Sequence, residues 1–348
     1  MEIRIVRPRS RSNNSNSGAH PAGESLTEKP SFHPGIEKMS EKNCHKEGDR
    51  SETINEILGE LDSLVGLEPV KRLVYEIKAY VEIQRRRQHE KLVSEPLVLH
   101  MIFRGNPGTG KTTVARILGR LFRQMKVLSK GHLVEIERAD LVGEYIGHTA
   151  QKTREQLKKS YGGILFIDEA YSLARGGEKD FGKEAIDVLV KAMEDHKDNL
   201  ILILAGYKQE MSDFIKTNPG LKSRFPIHID FPDYSIRELL HIAALMLQKR
   251  QYTLSPAATD TLKKILELKT GRGHEHSGNA RLVRNLIEKA IRRQAVRLVN
   301  KDSLTREDLI IINEEDIGEA AEHFMKCSMS AAGFREGILS SVREMKES

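Results

Sequence analysis

The sequence has few cysteines and no long apolar run. Its two cysteines, Cys44 and Cys327, stand far apart in 348 residues, which predicts neither a disulfide framework nor a zinc site. No run approaches the roughly 18 apolar residues that a membrane-spanning helix needs. Arginines are frequent near the amino terminus, but no apolar segment follows them, so no signal peptide is predicted. These absences predict a soluble protein of a reducing compartment.

A large excess of either charge sign is also lacking. The chain has 56 Lys and Arg against 50 Asp and Glu, a formal net charge of +6. Spread over this length, that excess is a weak signal for nucleic acid and favours a mixed, solvated surface. The composition therefore argues against nucleic acid as a partner. The length allows two domains.

The most informative stretch is Gly105-Asn106-Pro107-Gly108-Thr109-Gly110-Lys111-Thr112. It matches the phosphate-binding pattern G-x-x-x-x-G-K-[ST] at every fixed position. Glycines permit backbone conformations that are closed to other residues, so successive N–H groups can face a polyphosphate. Lys111 is predicted to reach the β- and γ-phosphates, and the Thr112 hydroxyl to ligate Mg²⁺. We include the adjacent Thr113 among the predicted ATP-binding residues.

So short a pattern also fits a surface turn, and its neighbours decide between the two interpretations. An apolar run of strand length precedes it at residues 97–103. The stripe of an amphipathic helix follows it, formed by Val114, Ile117, Leu118, Leu121 and Phe122. Strand, glycine loop and helix come in the order that a nucleotide-binding loop requires.

Further strands are predicted at residues 133–136, 164–167, 200–204 and 227–231, with helical stretches between them. This alternation predicts an α/β fold with a mostly parallel sheet covered by helices on both faces. After Pro232 only helices are predicted, at about residues 235–250, 256–270 and 278–299. The predicted domains are a disordered extension (1–52), a nucleotide-binding α/β domain (53–234), a small all-helical lid (235–314) and a tail (315–348).

An acidic pair, Asp168-Glu169, directly follows the apolar strand at residues 164–167. Ligands of parallel sheets bind at the carboxyl ends of the strands. Asp168 is predicted to hold Mg²⁺, and Glu169 to orient and deprotonate an attacking water. An apolar turn, Leu64-Val65-Gly66-Leu67, precedes the glycine loop; a contact with the nucleotide base and an ordinary joint between helices both remain open.

Together, the glycine loop and the acidic strand end resemble the Walker A and Walker B motifs of AAA+ ATPases. Residues 144–149 resemble a pore loop, 218–225 an arginine-finger segment and 278–281 a sensor 2 motif. Residues 138–150 and 168–173 resemble the branch that contains the stage V sporulation proteins and the CbbX-type Rubisco activases. Residues 174–182 resemble the sporulation side of that branch most. The resemblance extends from about Leu64 to Val299.

This resemblance implies an ATP-hydrolysing homo-oligomeric ring, a hexamer, that acts in the cytoplasm and has a role in bacterial sporulation. Arg224 would reach the γ-phosphate of a neighbouring subunit, and Arg281 that of its own. Tyr145 would grip a protein client in the pore. The alternatives are a turn-capping role for Arg224 and a core position for Tyr145. The Asn or Thr with which many members end the fourth strand is absent; either the Tyr207 hydroxyl substitutes for it or the role itself is absent.

Three alternative functions follow from the same residues. The ring could act as a nucleic-acid motor or loader, as a remodeller of the Rubisco-activase type, or as a nucleotide-gated scaffold. Glu144 and Tyr145 stand in the predicted pore loop where a nucleic-acid motor would need Lys or Arg. The sequence leaves open the client, the developmental step and whether the chain starts at Met1 or Met39.

Overall fold

The structure, a computed structural model, describes residues 52–93, 98–145, 147–175, 180–217, 219–270, 278–299, 301 and 303–320. Its strands are β1 (Met101–Gly105), β2 (Leu133–Ile136), β3 (Ile164–Ile167), β4 (Ile201–Gly206), β5 (Ile227–Phe231), β6 (Thr253–Leu254) and β7 (Ile311–Ile312). Its α-helices are α1 (Ile54–Ser63), α2 (Glu68–His89), α3 (Lys111–Gln124), α4 (Arg138–Leu141), α5 (His148–Ser160), α6 (Gly182–Asp195), α7 (Lys208–Thr217), α8 (Pro219–Arg224), α9 (Ile236–Gln248), α10 (Pro256–Thr270), α11 (Asn279–Val299) and α12 (Arg306–Ile310). A 3₁₀ helix spans Ala170–Ala174.

The first five strands form one parallel sheet in the order β2-β3-β4-β1-β5. Every residue of β3 and β4 is buried, which follows from their uninterrupted apolar sequences. The predicted parallel α/β fold is confirmed. Because the strands are parallel, β1 and β3 both deliver their carboxyl ends to one edge of the sheet, with β4 between them.

Helices cover both faces of this sheet, and side chains alternate between the two cores. On one face Met101 and Phe103 pack with the buried stripe of α3, which includes the predicted Val114, Ile117, Leu118, Leu121 and Phe122. On the other face Ile102 packs in a second apolar cluster with buried residues of α6 such as Leu189. Two apolar layers thereby enclose the sheet and hold its carboxyl edge in place.

The residues after β5 form a second, helical layer around its own apolar core. Buried side chains of α9, α10 and α11 meet there, among them Leu239, Leu262 and Leu286. The predicted helical lid is confirmed, with two differences. The parallel pair β6–β7 has two residues in each strand, too few for a periodicity to show. Ile317 and Ala320 are buried in this core, so it extends past the predicted boundary at residue 314.

The predicted disordered extension, apart from Glu52, lies outside the described residues, as do residues 321–348 of the predicted tail. Ile146, Asn218 and residues 176–179, which contributed to the resemblance, also lie outside them. Among the helices that the structure describes, none is both long and apolar enough to cross a membrane.

Candidate nucleotide-binding site

The glycine loop connects the end of β1 to the first turn of α3. Gly108 and Gly110 have φ values of 75° and 95°, in the left-handed region that side chains disfavour. A Cβ atom on Gly108 would lie 2.5 Å from the Gly278 carbonyl oxygen and 2.8 Å from the Arg281 nitrogen. Glycine is required here because the loop turns tightly and because the start of α11 packs against it.

Lys111 is the first residue of α3, and its side chain folds back over the loop. The Nζ atom donates hydrogen bonds of 2.9 Å to the carbonyl oxygens of Gly105 and Asn106. Burial lowers the pKa of Lys111, and the carboxylate of Asp168 opposes that shift. The ammonium group is therefore held inside the loop by neutral acceptors, which the charged oxygens of a phosphate can replace.

Two residues of the predicted ATP-binding loop use their side chains to contact the protein. The Thr109 side chain is buried, and its hydroxyl donates a 2.8 Å hydrogen bond to the Asn106 carbonyl. The Asn106 amide donates to both carboxylate oxygens of Asp233, at 3.1 and 2.9 Å. Through these side chains, both residues shape the loop without lining the cavity beside it.

A cavity of about 590 Å³ lies beside the loop. Ten of the predicted site residues line it: Gly105, Pro107, Gly108, Gly110, Lys111, Thr112, Thr113, Asp168, Glu169 and Arg281. They come from the loop, the end of β3 and the start of α11. A phosphate-binding loop, two hydroxyls, two carboxylates and an arginine therefore face one space of nucleotide size.

The acidic pair lies where β3 ends. The Asp168 N–H donates to the Ile136 carbonyl at 3.0 Å, which continues the pairing of β2 with β3. The Glu169 N–H in turn donates to the Asp168 carboxylate at 3.0 Å. Glu169 has a φ of 46°, a left-handed conformation that typically costs a non-glycine residue about 1–3 kcal/mol. This backbone turn places the exposed Glu169 side chain at the cavity.

Two tyrosines surround Glu169. The rings of Tyr171 and Tyr207 have centroids 6.0 Å apart, and Tyr207 also lines the cavity. A Cβ atom on Gly206 would lie 2.7 Å from the Tyr171 ring, so glycine makes room for that ring at the end of β4. Burial, and next the charge of Glu169, raise the pKa of both hydroxyls. The Tyr207 hydroxyl therefore keeps its proton and can donate a hydrogen bond at the cavity.

Part of the cavity lining is apolar. Leu64, Val65 and Leu67 of the turn between α1 and α2 line it, as do Ile242, Leu245 and Met246 of α9. This arrangement favours the base-contact interpretation of the turn over an ordinary joint. The sequence analysis missed the α9 residues. Leu245 is an apolar residue outside the core of the lid, a signal that could have been followed, whereas Met246 packs partly against that core.

Three further cations line the cavity, and the sequence analysis assigned none of them to the site: Arg116, Lys249 and Arg284. Arg284 follows Arg281 by three residues, so both project from one side of α11. The lining of the cavity therefore combines the loop, Lys111 and cationic side chains from two domains, which suits a multiply charged anion.

Arg224 does not line this cavity. It ends α8, where its Nε donates to the Glu194 carboxylate at 3.2 Å, its Nη2 also pairs with that carboxylate, and its Nη1 donates to the Gly220 carbonyl at 3.0 Å. Tyr145 also lies outside the cavity. It is 65% exposed and its ring packs edge-on against His148 at 5.3 Å. Arg224 and Tyr145 therefore lie apart from the residues that line the cavity beside the glycine loop.

The geometry defines a P-loop nucleotide-binding protein with a helical lid. Residues 101–233 match the ATPase family associated with various cellular activities (AAA), and residues 235–326 match the AAA lid domain. Stage V sporulation protein K of Bacillus subtilis is 57% identical over 76% of this chain and 82% of its own length. Protein CbbX of Cereibacter sphaeroides is 48% identical over 75% of this chain and 85% of its own.

The chain belongs to the AAA+ ATPases, in the branch that contains stage V sporulation protein K and CbbX. It is a nucleotide-binding ATPase. The chloroplastic ribulose bisphosphate carboxylase/oxygenase activase of Cyanidioschyzon merolae is 46% identical over 76% of this chain and 91% of its own. A point mutant of Thermotoga maritima RuvB shares the fold, with a TM-score of 0.50 and 20% identity over 75% of this chain and 71% of that one.

Proposed function

We propose that this chain hydrolyses ATP with Mg²⁺ in a homo-oligomeric ring and uses the energy to remodel a protein client. The observation that carries the catalytic part is the convergence of the loop, Asp168, Glu169 and Arg281 on one cavity. The Thr112 hydroxyl and the Asp168 carboxylate are hard oxygen donors that fit Mg²⁺. When bound, the ion neutralises charge that develops on the phosphates.

The residues of the chain divide the chemical work. Lys111 binds the β- and γ-phosphate oxygens, while backbone N–H groups of the loop surround the rest. Glu169 orients a water and accepts its proton as the water attacks the γ-phosphorus. The bond from that phosphorus to the bridging oxygen of the β-phosphate breaks, and ADP leaves with the electron pair. Tyr207, a neutral hydroxyl at the same cavity, is placed to donate a hydrogen bond to that water or to the phosphate. Arg281 connects the lid to the γ-phosphate.

The remaining catalytic group comes from a second copy of the chain. Arg224 lies outside the cavity of its own chain, at the end of α8. In a hexameric ring we assign it to the γ-phosphate of the neighbouring subunit, where an arginine can accelerate transfer about 10³–10⁵-fold. Completion by a neighbour makes hydrolysis dependent on assembly.

Tyr145 is the proposed client-binding residue. It is a large exposed aromatic side chain, and the loop around it leads into α5 through Gly147, whose φ of 83° favours glycine. An exposed ring on a loop can contact an extended polypeptide whatever its sequence. The similarity to stage V sporulation protein K supports bacterial sporulation as the setting; the Rubisco-activase relatives support activation of another enzyme as the second candidate.

The test is a client trap. The Glu169→Gln variant should bind ATP but hydrolyse it about 10²–10⁴-fold more slowly, so that a client stays engaged. It would be purified with ATP from cells that produce it, and bound proteins identified by mass spectrometry. We expect one or a few proteins that disappear when Tyr145→Ala is added. Tyr80→Ala, which alters another exposed tyrosine on α2, is the matched control and should retain them.

Other results would replace the proposal. Recovery of nucleic acid, with binding that weakens steeply as salt rises, would establish a nucleic-acid motor. Recovery that Tyr145→Ala leaves unchanged would indicate a scaffold that assembles on ATP. Normal hydrolysis by the Glu169→Gln variant would show that the base is assigned wrongly.

A further inference from the structure

Asn279, the first residue of α11, is a buried polar residue at a junction of three segments. Asn279 is 1% exposed, and its φ is 42°, in the left-handed region that few non-glycine residues adopt and that asparagine adopts more often than most. Strain of this kind persists only where the surroundings enforce it. The neighbours of Asn279 therefore specify both its identity and its conformation.

Hydrogen bonds from the Asn279 amide reach two other segments. Its Nδ2 donates to the Asp233 carboxylate at 2.7 Å and to the Pro107 carbonyl at 3.4 Å. Its Oδ1 accepts from the Tyr234 N–H at 3.0 Å. One side chain thus connects the start of α11 to the phosphate loop and to the segment that joins the two domains. An amide is needed because the site demands both a donor and an acceptor.

Asp233 extends this connection to a second point of the loop. Its carboxylate accepts from the amides of both Asn106 and Asn279, so two loop positions connect to the lid through these side chains. The backbone adds a further bond, from the Ala280 N–H to the Gly108 carbonyl at 3.2 Å. Arg281 comes two residues after Asn279 and lines the cavity.

We propose that Asn279 is a positioning residue, which with Asp233 sets Arg281 at a fixed place relative to the phosphate loop. Movement of the loop at Asn106 or Pro107 is transmitted to the start of α11, and hence to the arginine. The proposal deepens the proposed function and rests on the assignment of Arg281 to the γ-phosphate. Asn279 should affect turnover, because it acts through Arg281, which contacts the γ-phosphate as that group is transferred.

The test is a double-mutant cycle of Asn279→Gly and Arg281→Ala. Glycine adopts a positive φ readily, so Asn279→Gly removes the amide and preserves the start of the helix. We expect it to lower kcat about tenfold and to change KM for ATP less than about threefold. In the Arg281→Ala background the same substitution should change kcat by less than about twofold. Asn285→Ala, an exposed amide on the same helix, is the control and should leave kcat unchanged.

A conservative rescue separates positioning from folding. Asn279→Asp sets a second carboxylate against Asp233 and should lower kcat at least as much as the glycine variant. Adding Asp233→Asn restores a pair of donor and acceptor and should recover part of the loss. Equal fold losses of kcat with and without Arg281 would show that Asn279 acts only by supporting the fold, and would overturn the proposal. So would an unchanged kcat in either Asn279→Gly or Arg281→Ala.

Failure of the proposed function gives a different result. Lys111→Ala in an otherwise unchanged chain should abolish ATP turnover. If turnover persists, the nucleotide site itself is assigned wrongly, whatever the role of Asn279. With that control in place, the cycle reports only on the connection between the junction and Arg281.

Discussion

Two charged regions of the molecule are held in contrasting ways. The phosphate edge, which we define as the glycine loop with Asp168 and Glu169, has its catalytic groups facing one cavity. The Arg224 corner, which we define as Arg224, Glu194 and Phe225, lies outside that cavity. In the first region Lys111 is held by backbone carbonyls, whereas in the second Arg224 is held mainly by a side-chain carboxylate.

The difference lies in how easily each cation can be released. Lys111 is bound by a loop whose own backbone is fixed between β1 and α3. Glu194 is 61% exposed and Arg224 30% exposed, and ion pairs of this kind contribute about 0–1 kcal/mol. Arg224 can therefore leave Glu194 at little energetic cost. A single chain contains all of the phosphate edge, whereas Arg224 is held weakly enough to serve the neighbouring subunit that we propose.

The largest effect should come from breaking the Arg224 corner. We expect Arg224→Ala to lower kcat about 10³–10⁵-fold while ATP binding is retained, because the arginine meets charge only in the transition state. Mixing this variant with Glu169→Gln should restore part of the turnover. At a mixed interface, one subunit supplies Glu169 and its neighbour supplies Arg224. Coupled-enzyme ATPase assays over a range of mixing ratios measure this directly.

Lys222→Ala is the matched control, since it removes an exposed cation from the same helix. It should leave turnover unchanged. If mixed Arg224→Ala and Glu169→Gln subunits are no more active than either alone, Arg224 does not act across an interface. The Arg224 corner would then have only a structural role within its own chain.

The phosphate edge could be predicted from sequence because its determinants are local. The glycine pattern, the flanking strand and the stripe of α3 specify a loop whose conformation depends mostly on nearby residues. The acidic pair followed from its place after a buried strand. Whether the turn at residues 64–67 contacts a nucleotide base remained open, because the α9 residues that line the cavity with it come from a segment about 180 residues later in the sequence. Only the folded lid brings the two segments together.

Side-chain direction was the part that sequence could not supply. Asn106 and Thr109 occupy motif positions, yet one binds Asp233 and the other an adjacent carbonyl. The motif specifies the backbone conformation of the loop, but it does not specify what the side chains at its variable positions contact. The pairing of Arg224 with Glu194 is equally hidden, because nothing in either local sequence marks the other as a partner.

A smaller effect should come from the support beneath the Arg224 corner. His100 is 3% exposed; its ring lies 5.9 Å from that of Phe225, and its Nδ1 accepts from the Leu202 N–H at 3.1 Å. Burial lowers its pKa to about 4, although a hydrogen bond to the Met193 backbone opposes the shift. The unfolded chain, with a histidine pKa of about 6.5, binds the proton more readily.

The sign of the pH effect follows. His100 contributes stability that is fully present above about pH 6.5 and is lost as the pH falls towards about 4, by up to about 3 kcal/mol. His100→Asn keeps an acceptor for the Leu202 N–H and cannot become charged, so it should lose less stability over this range. Urea unfolding of both proteins at several pH values measures the difference. A difference that stays constant between pH 7 and pH 4.5 would contradict a buried neutral histidine.

The smallest effect sharpens the other side of the comparison, since it tests how rigid the phosphate edge is. Gly108→Ala adds a methyl group against the backbone of Gly278 and Arg281, at a positive φ. We expect ATP binding to weaken by about 1–3 kcal/mol, because either the loop or the start of α11 must move. Gly59→Ala on α1 has nothing within 4 Å and should preserve binding while raising the melting temperature. Affinities are measured by titration with a fluorescent ATP analogue. Equal affinities for the two variants would mean that the glycine loop accommodates the added methyl group easily, so that the phosphate edge is no more rigid than the Arg224 corner.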